Sequence, residues 1–343
     1  MEKHKFICVS CNEPWDLVGR EYIRDNGKTD YFCLNCKVKR RPVIYQNDIH
    51  IDSIETQYYK EFNKESNKPR RHLVIPDCQV TPSSPTDHLE WINLYIHEKH
   101  PDVIVNLGDF NDMESLSYYD KGTIYFEGRR YNEDIKSGKK AMGKLTKGVN
   151  TKEYSPEMYL TEGNHEFRIQ RCIEEDPKLE GFMNREDLGY EEFGWNVYPF
   201  LEIVEVDGVN YSHYFCNQLS GKPIGGESIL LRLKNIGFSF VMGHQQIYLV
   251  GVRSLNNGRR IRGIVLGSCY LHDERYRGPQ SNNEWRGVLV LNEVKNGDYS
   301  LMEISLDYLC RRYEGVPLWV FMQKKYPEIF NKSTWLKHQM KNY

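Results

Sequence analysis

The chain has 343 residues, 39% of them hydrophobic and 27% charged, the composition of a soluble globular protein with room for one large domain and an accessory piece. Its net charge of −2 excludes a polycation, so any contact with nucleic acid has to come from a local patch. No apolar run approaches the roughly 18 residues needed to span a bilayer, and MEKHKFICVSC at the N-terminus lacks the apolar stretch of a signal peptide, so the expected location is cytoplasmic.

The first elements in chain order are two cysteine knuckles, Cys8-Val9-Ser10-Cys11 and Cys33-Leu34-Asn35-Cys36. Each tight turn offers two thiolates, and two such turns complete a tetrahedral site for one structural Zn²⁺. Between them residues 12–32 suit a β-hairpin, with Leu17-Val18-Gly19 and Tyr22-Ile23 around the turn-rich Asp25-Asn26-Gly27-Lys28. A segment this short needs the metal to fold, so a zinc ribbon is expected over 1–45. The other five cysteines stand singly among apolar residues, as small buried hydrophobes would. Lys37, Lys39, Arg40 and Arg41 after the second knuckle could meet phosphates or could form a solvated face.

Residues 46–70 are polar and read as a linker. The pattern then changes, and strand-length apolar runs recur at 72–75, 103–107, 158–161, 238–242 and 261–267. Between the first two a helix is predicted, opened by Thr86 or Asp87 and carrying Leu89, Ile92, Leu94, Tyr95 and Ile96. Strand, helix, strand at this spacing predicts a βαβ unit and an α/β sandwich over 71–312. From 313 to 343 aromatic residues mix with lysines, as in a helical tail packed on that domain.

Polar residues gather just past the strands: Pro76-Asp77-Cys78-Gln79, Gly108-Asp109-Phe110-Asn111-Asp112, Gly163-Asn164-His165-Glu166, His213, and Gly243-His244-Gln245-Gln246. Ligand sites of open α/β sheets lie beyond the carboxyl ends of strands, so Asp, Asn, His and Gln delivered there point to a metal cluster. Each residue alone has a plainer reading, as a turn cap or a hydrogen-bonded core histidine.

In order and spacing the series D-x-Q, GDFND, GNHE, H, GHQQ resembles the calcineurin-like metallophosphoesterase superfamily, whose pattern runs D-x-H, GD-x-x-D, GNH(E/D), H, GH-x-H. The narrower resemblance is to metallophosphoesterases of tailed bacteriophages with an N-terminal zinc ribbon, which would place the chain in the host cytoplasm. The resemblance implies a β-sandwich flanked by helices, in α/β/β/α layers, and two divalent ions. Asp109 would bridge the ions, with Asp77 on the first and Asn164, His213 and His244 on the second. A hydroxide shared by the ions would attack the phosphorus, and His165, backed by Asp112, would protonate the leaving oxygen. Gln79 and Gln246 stand where the family has two histidines of the first ion. As harder ligands they would favour Mn²⁺ or Mg²⁺ over Zn²⁺, or leave that site empty.

Met113 replaces the arginine that the protein phosphatase branch carries after GD-x-x-D. Arg129, Arg130, Arg168, His272 and Arg275 are the remaining candidates for holding phosphate, although Arg168 also suits an ion pair on a helix surface. Tyr118, Tyr119, Tyr125 and Tyr131 follow the second motif, where rings could stack on bases. The expected activity is a phosphodiesterase or nuclease acting on nucleic acid or nucleotides. A phosphomonoesterase of a small metabolite and a non-catalytic nucleic-acid-binding protein are the alternatives.

Overall fold

The computed structural model describes residues 68–341 and the backbone of four short strands before them, β1 (Lys5–Ile7), β2 (Pro14–Asp16), β3 (Glu21–Ile23) and β4 (Thr29–Tyr31). The chain divides into two units, Met1–Lys68 and Pro69–Tyr343. In the first, β1 pairs antiparallel with β2 and β3 with β4. Cys8, Cys11, Cys33 and Cys36, and with them the expected zinc ribbon, lie outside the described residues, as does the expected linker as far as Asn67.

The second unit contains β5 (Arg70–Ile75), β6 (Val103–Asn106), β7 (Glu157–Thr161), β8 (Asn196–Tyr198), β9 (Val204–Val206), β10 (Val209–Ser212), β11 (Phe240–Met242), β12 (Leu249–Ser254), β13 (Arg260–Val265), β14 (Gly287–Lys295) and β15 (Asp298–Ser305). Six form one sheet in the order β15-β14-β5-β6-β7-β8, and five form another in the order β12-β13-β11-β10-β9. Neighbours β5 to β8 are parallel, and so are β10, β11 and β13.

Side chains of a strand alternate between faces, and here both faces are apolar. Val74, Val103, Val105, Leu289 and Leu291 face inward against Val209, Tyr211, Val241 and Ile264 of the second sheet. Leu73, Ile75, Ile104, Val288 and Val290 face the other way, into a helical layer. Each such side chain contributes about 1.5–3 kcal/mol on burial, so the register is fixed from two sides. Ile75 lies opposite Asn106, and Asn106 opposite Leu160, which brings the ends of three parallel strands to one edge.

The helical layer holds α1 (Asp87–Lys99) and α2 (Tyr131–Leu145). Helix α3 (Arg168–Glu175) begins beside the third motif, and α4 (Ile229–Ile236) covers the outer face of the second sheet through Leu233 packed with Phe240, Met242 and Val265. The layers are thus helix, sheet, sheet, helix. In α1 the buried stripe is Leu89, Trp91, Ile92, Tyr95 and Ile96, whereas Leu94 is 48% exposed, off the face assigned to it from sequence.

Past β15 come α5 (Leu306–Glu314), α6 (Leu318–Lys325), α7 (Pro327–Lys332) and α8 (Thr334–Lys341). Phe321, Met322, Phe330, Trp335 and Leu336 enter the helical layer. Asp273, in the loop after β13, accepts from Ser333 Oγ at 2.8 Å and Thr334 N at 2.6 Å, and the buried Arg286 guanidinium lies 4.0 Å from the Trp335 ring centre. Of the single cysteines, Cys78, Cys269 and Cys310 are buried and Cys172 and Cys216 partly so; none of the five is in a disulfide. Among the described residues no helix is long and apolar enough to cross a membrane.

Candidate metal centre

Five loops at the carboxyl ends of β5, β6, β7, β10 and β11 bring their polar residues to one place. Backbone bonds fasten the loops first. The amides of Cys78 and Gln79 both donate to the Asp109 carbonyl (3.0 and 2.9 Å), and Gly243 N donates to the His213 carbonyl (3.1 Å). Glu166, 1% exposed, is the clamp that the sequence did not single out. Its carboxylate accepts from Asp109 N, Gly163 N and Asn111 N at 2.9, 2.9 and 3.1 Å and from the Tyr190 hydroxyl at 3.1 Å.

The loops are strained. Gln79, Asp109, His244 and Gln246 take left-handed backbone conformations, with φ of 48°, 49°, 67° and 53°. For residues with a Cβ this costs about 1–3 kcal/mol each and persists where the surroundings impose it, which is common at functional sites. Two glycines are required by close approach. A Cβ at Gly163 would overlap the Asp109 carboxylate, and one at Gly243 would overlap that of Asp77.

Asp109, Asn164, His213 and His244 form one cluster. His213 Nε2 lies 3.2 Å from Asp109 Oδ2 and 3.1 Å from Asn164 Oδ1, and His244 Nδ1 lies 2.7 Å from Asn164 Oδ1 and 3.2 Å from His213 Nε2. His213 Nδ1 faces the Leu107 carbonyl at 2.8 Å, so that nitrogen carries a proton and a neutral ring turns the Nε2 lone pair into the cluster. Burial works against a charged His213, but the Asp109 carboxylate overrides it and raises the ring to about 9. Burial and His213 lower His244 to about 4. Burial opposes ionisation of Asp109 too, yet His165 and His213 hold its carboxyl well below the usual range. One carboxylate, one amide oxygen and two imidazoles converging in this way fit a divalent cation, whose charge would do what the extra proton on His213 does here.

Asp77 and Gln79 lie beside this cluster and are fully buried. Asp77 Oδ1 accepts from His244 N (3.1 Å) and Gln79 Nε2 donates to Asp109 Oδ2 (3.4 Å), but Asp77 Oδ2 and Gln79 Oε1 have no hydrogen-bond partner among the described residues. Burial raises the Asp77 carboxyl to about 7. Two buried oxygens without partners next to Asp109 fit a second cation held by oxygen ligands.

Gln246 bonds a neighbouring loop. Its Oε1 accepts from the Tyr270 hydroxyl (2.9 Å) and from Arg277 Nη1 (3.0 Å), and its Nε2 donates to the Tyr276 hydroxyl (3.1 Å). Both lone pairs of the amide oxygen are thus engaged by the 270–277 loop in this structure. The two glutamines in histidine positions therefore differ in surroundings.

His165 Nδ1 faces Asp112 Oδ1 at 2.6 Å and the Asp112 carbonyl at 3.0 Å, both acceptors, so it is the protonated nitrogen and Nε2 is left for the site. Nε2 lies 3.7 Å from Asp109 Oδ2. Burial lowers the pKa of His165, but Asp109 and Asp112 outweigh burial and the opposing Arg168, so the net shift is upward. Arg168 does not make a surface ion pair. From the start of α3 its guanidinium turns back to the Asp112 carbonyl (2.7 Å) and to His165 Nε2 (3.2 Å).

These groups floor a cleft of about 1340 Å³. Arg129, Arg168, His272 and Arg275 line it and Arg130 does not. Arg129 pairs with Glu114 (3.2 Å) and Asp120 (2.7 Å), Arg275 pairs with Asp120, and His272 Nε2 meets Glu274 at 2.8 Å. The exposed Arg130 bonds the Arg129 carbonyl. Residues 325–329 of the tail form part of the wall, for which the sequence offered no signal.

No curated protein matches the chain. One solved structure aligns with 69% of this chain and 100% of its own at 12% identity, with a TM-score of 0.35. The calcineurin-like phosphoesterase family matches residues 41–321, starting in the last residues of the stretch expected as zinc ribbon, running through the expected linker and covering every loop of the cluster. With most of its length in that match, the chain belongs to the calcineurin-like phosphoesterases and is a metal-dependent phosphoesterase.

Proposed function

We propose that the chain hydrolyses phosphodiesters of nucleic acid or nucleotides, with Asp109, Asn164, His213 and His244 holding one divalent ion and Asp77, Gln79 and Asp109 a second. The observation that carries the choice of a diester is the cleft of about 1340 Å³ above the cluster. Pockets for drug-sized ligands measure roughly 300–1,000 Å³, so a small phosphomonoester would leave much of this cleft empty. When bound, the ions supply a nucleophilic water near neutral pH and neutralise charge on the phosphoryl oxygens. His165, with Nδ1 pinned by Asp112, presents Nε2 to the leaving oxygen and donates its proton there. Arg168, beside that nitrogen, binds a non-bridging phosphate oxygen when substrate displaces it from His165.

The metal-stripped full chain, reloaded with Mn²⁺, is expected to cleave single-stranded DNA and bis-p-nitrophenyl phosphate well above p-nitrophenyl phosphate. Turnover confined to the monoester would sink the diesterase reading.

Metal preference tests the ligand assignment separately. An oxygen-only set of Asp77, Gln79 and Asp109 favours Mn²⁺ or Mg²⁺. Gln79→His is expected to shift reactivation toward Zn²⁺, whereas Gln246→His, at a residue bonded to Tyr270, Tyr276 and Arg277, is not. Equal shifts in both variants would restore Gln246 to the first ion.

A further inference from the structure

Three tyrosines stand at the cleft where aromatic rings would ordinarily be buried. Tyr119, Tyr125 and Tyr276 all line it, and they are 88%, 53% and 62% exposed. Exposed rings gathered at one cleft mark a surface that awaits a partner.

Two of the rings are held in place. The Arg275 guanidinium lies 3.9 Å from the centre of the Tyr125 ring and is itself fixed by its ion pair with Asp120. Arg129 grips the same Asp120 at 2.7 Å, so the insertion carrying Tyr119 and Tyr125 is tied to the loop carrying Tyr276. Tyr276 is anchored by its hydroxyl, which accepts from Gln246 Nε2, and Gln246 in turn is held by Tyr270 and Arg277. A rigid, half-open ring stacks at little entropic cost, and a guanidinium behind it strengthens the stack.

We infer that Tyr119, Tyr125 and Tyr276 form a stacking subsite for nucleobases, which makes unpaired nucleic acid the substrate class. This rests on the diesterase reading above. The rings take any base, because every base has a flat face, but they need bases not already stacked in a duplex. Most carboxylates of the cleft have a basic partner: Glu114 and Asp120 pair with Arg129 and Arg275, Asp112 with Arg168 and Asp273 with Arg286, and Glu274 bonds His272, while Glu328 is exposed at the rim. Gln246, in a family histidine position, then supports substrate choice through Tyr276.

Two single-stranded oligonucleotides of equal length test this in the full chain with Mn²⁺, one with bases and one abasic throughout. The wild-type chain is expected to favour the base-bearing strand by at least about tenfold in kcat/KM, the order of one stacked base. Tyr119→Ala, Tyr125→Ala and Tyr276→Ala should each shrink that ratio several-fold, and the triple variant should bring it within about twofold of one. Tyr119→Phe and Tyr125→Phe should keep it. Tyr119 is 88% exposed, so its alanine variant reports even if the others fold poorly. A wild-type ratio near one, or alanine variants that slow both strands equally, would overturn the subsite while leaving the diesterase intact. Failure to cleave either strand, with turnover of a phosphomonoester, would remove the subsite and the diesterase reading together.

Discussion

Asp109→Ala is expected to abolish turnover of every substrate, by more than about 10³-fold, and to strip metal from the chain. A bound ion contributes several kcal/mol of transition-state stabilisation, and each 1.36 kcal/mol is tenfold in rate. The loss is this large because one carboxylate serves the whole centre. Asp109 Oδ2 lies 3.2 Å from His213 Nε2 and within 3.4 Å of Gln79 Nε2, while Oδ1 accepts from His165 N at 2.9 Å. Without it His213 and His165 lose the charge that raises both. Gly163→Ala should come close to the same loss although no ligand is changed, because its new Cβ would overlap that carboxylate. Metal content and turnover of bis-p-nitrophenyl phosphate measure both. Full metal content with full activity in Asp109→Ala would remove Asp109 from the centre.

His165→Ala is expected to lose about 10²–10⁴-fold, but only where the leaving oxygen needs a proton. A sugar hydroxyl leaving from a nucleotide is a strong base, whereas p-nitrophenolate leaves unassisted. The loss should therefore be full on an oligonucleotide and much smaller on bis-p-nitrophenyl phosphate. Asp112→Asn should show the same selectivity more mildly, since Asp112 acts through its 2.6 Å contact with His165 Nδ1. Equal losses on the two substrates, with metal content intact, would mean that His165 stabilises phosphoryl charge and does not donate the proton.

The centre was legible where it depends on local sequence. An apolar run that gives way to a polar residue announces a parallel strand ending at a site, and Asp77, Asp109, Asn164, His213 and His244 lie at such ends, three of them directly after a glycine. The hairpin of β14 and β15 passed unremarked although Asn296-Gly297 between alternating apolar residues carries a hairpin signal. Distant partners were not legible. Gln246 is surrounded by Tyr270, Tyr276 and Arg277, from 24 to 31 positions away, in a loop whose path depends on Asp273, Arg286 and the tail. Arg168 starts a helix and so suited the surface, but its reach back to Asp112 depends on how two loops meet. Chain pattern gives the ends of strands, and packing alone decides what their side chains then touch.

The proposed ligands come from both sheets, Asp77, Asp109 and Asn164 from the edge of the six-stranded one and His213 and His244 from the five-stranded one. An ion held by them would also be a rivet through the sandwich. Parting the sheets would release it, so its binding free energy opposes that opening in addition to the apolar contacts between the sheets. Loading the stripped chain should slow amide hydrogen exchange at Val206 and Ile264, buried between the sheets in strands of the five-stranded sheet that carry none of the proposed ligands. Exchange there that is indifferent to metal would mean the sheets hold together without the rivet.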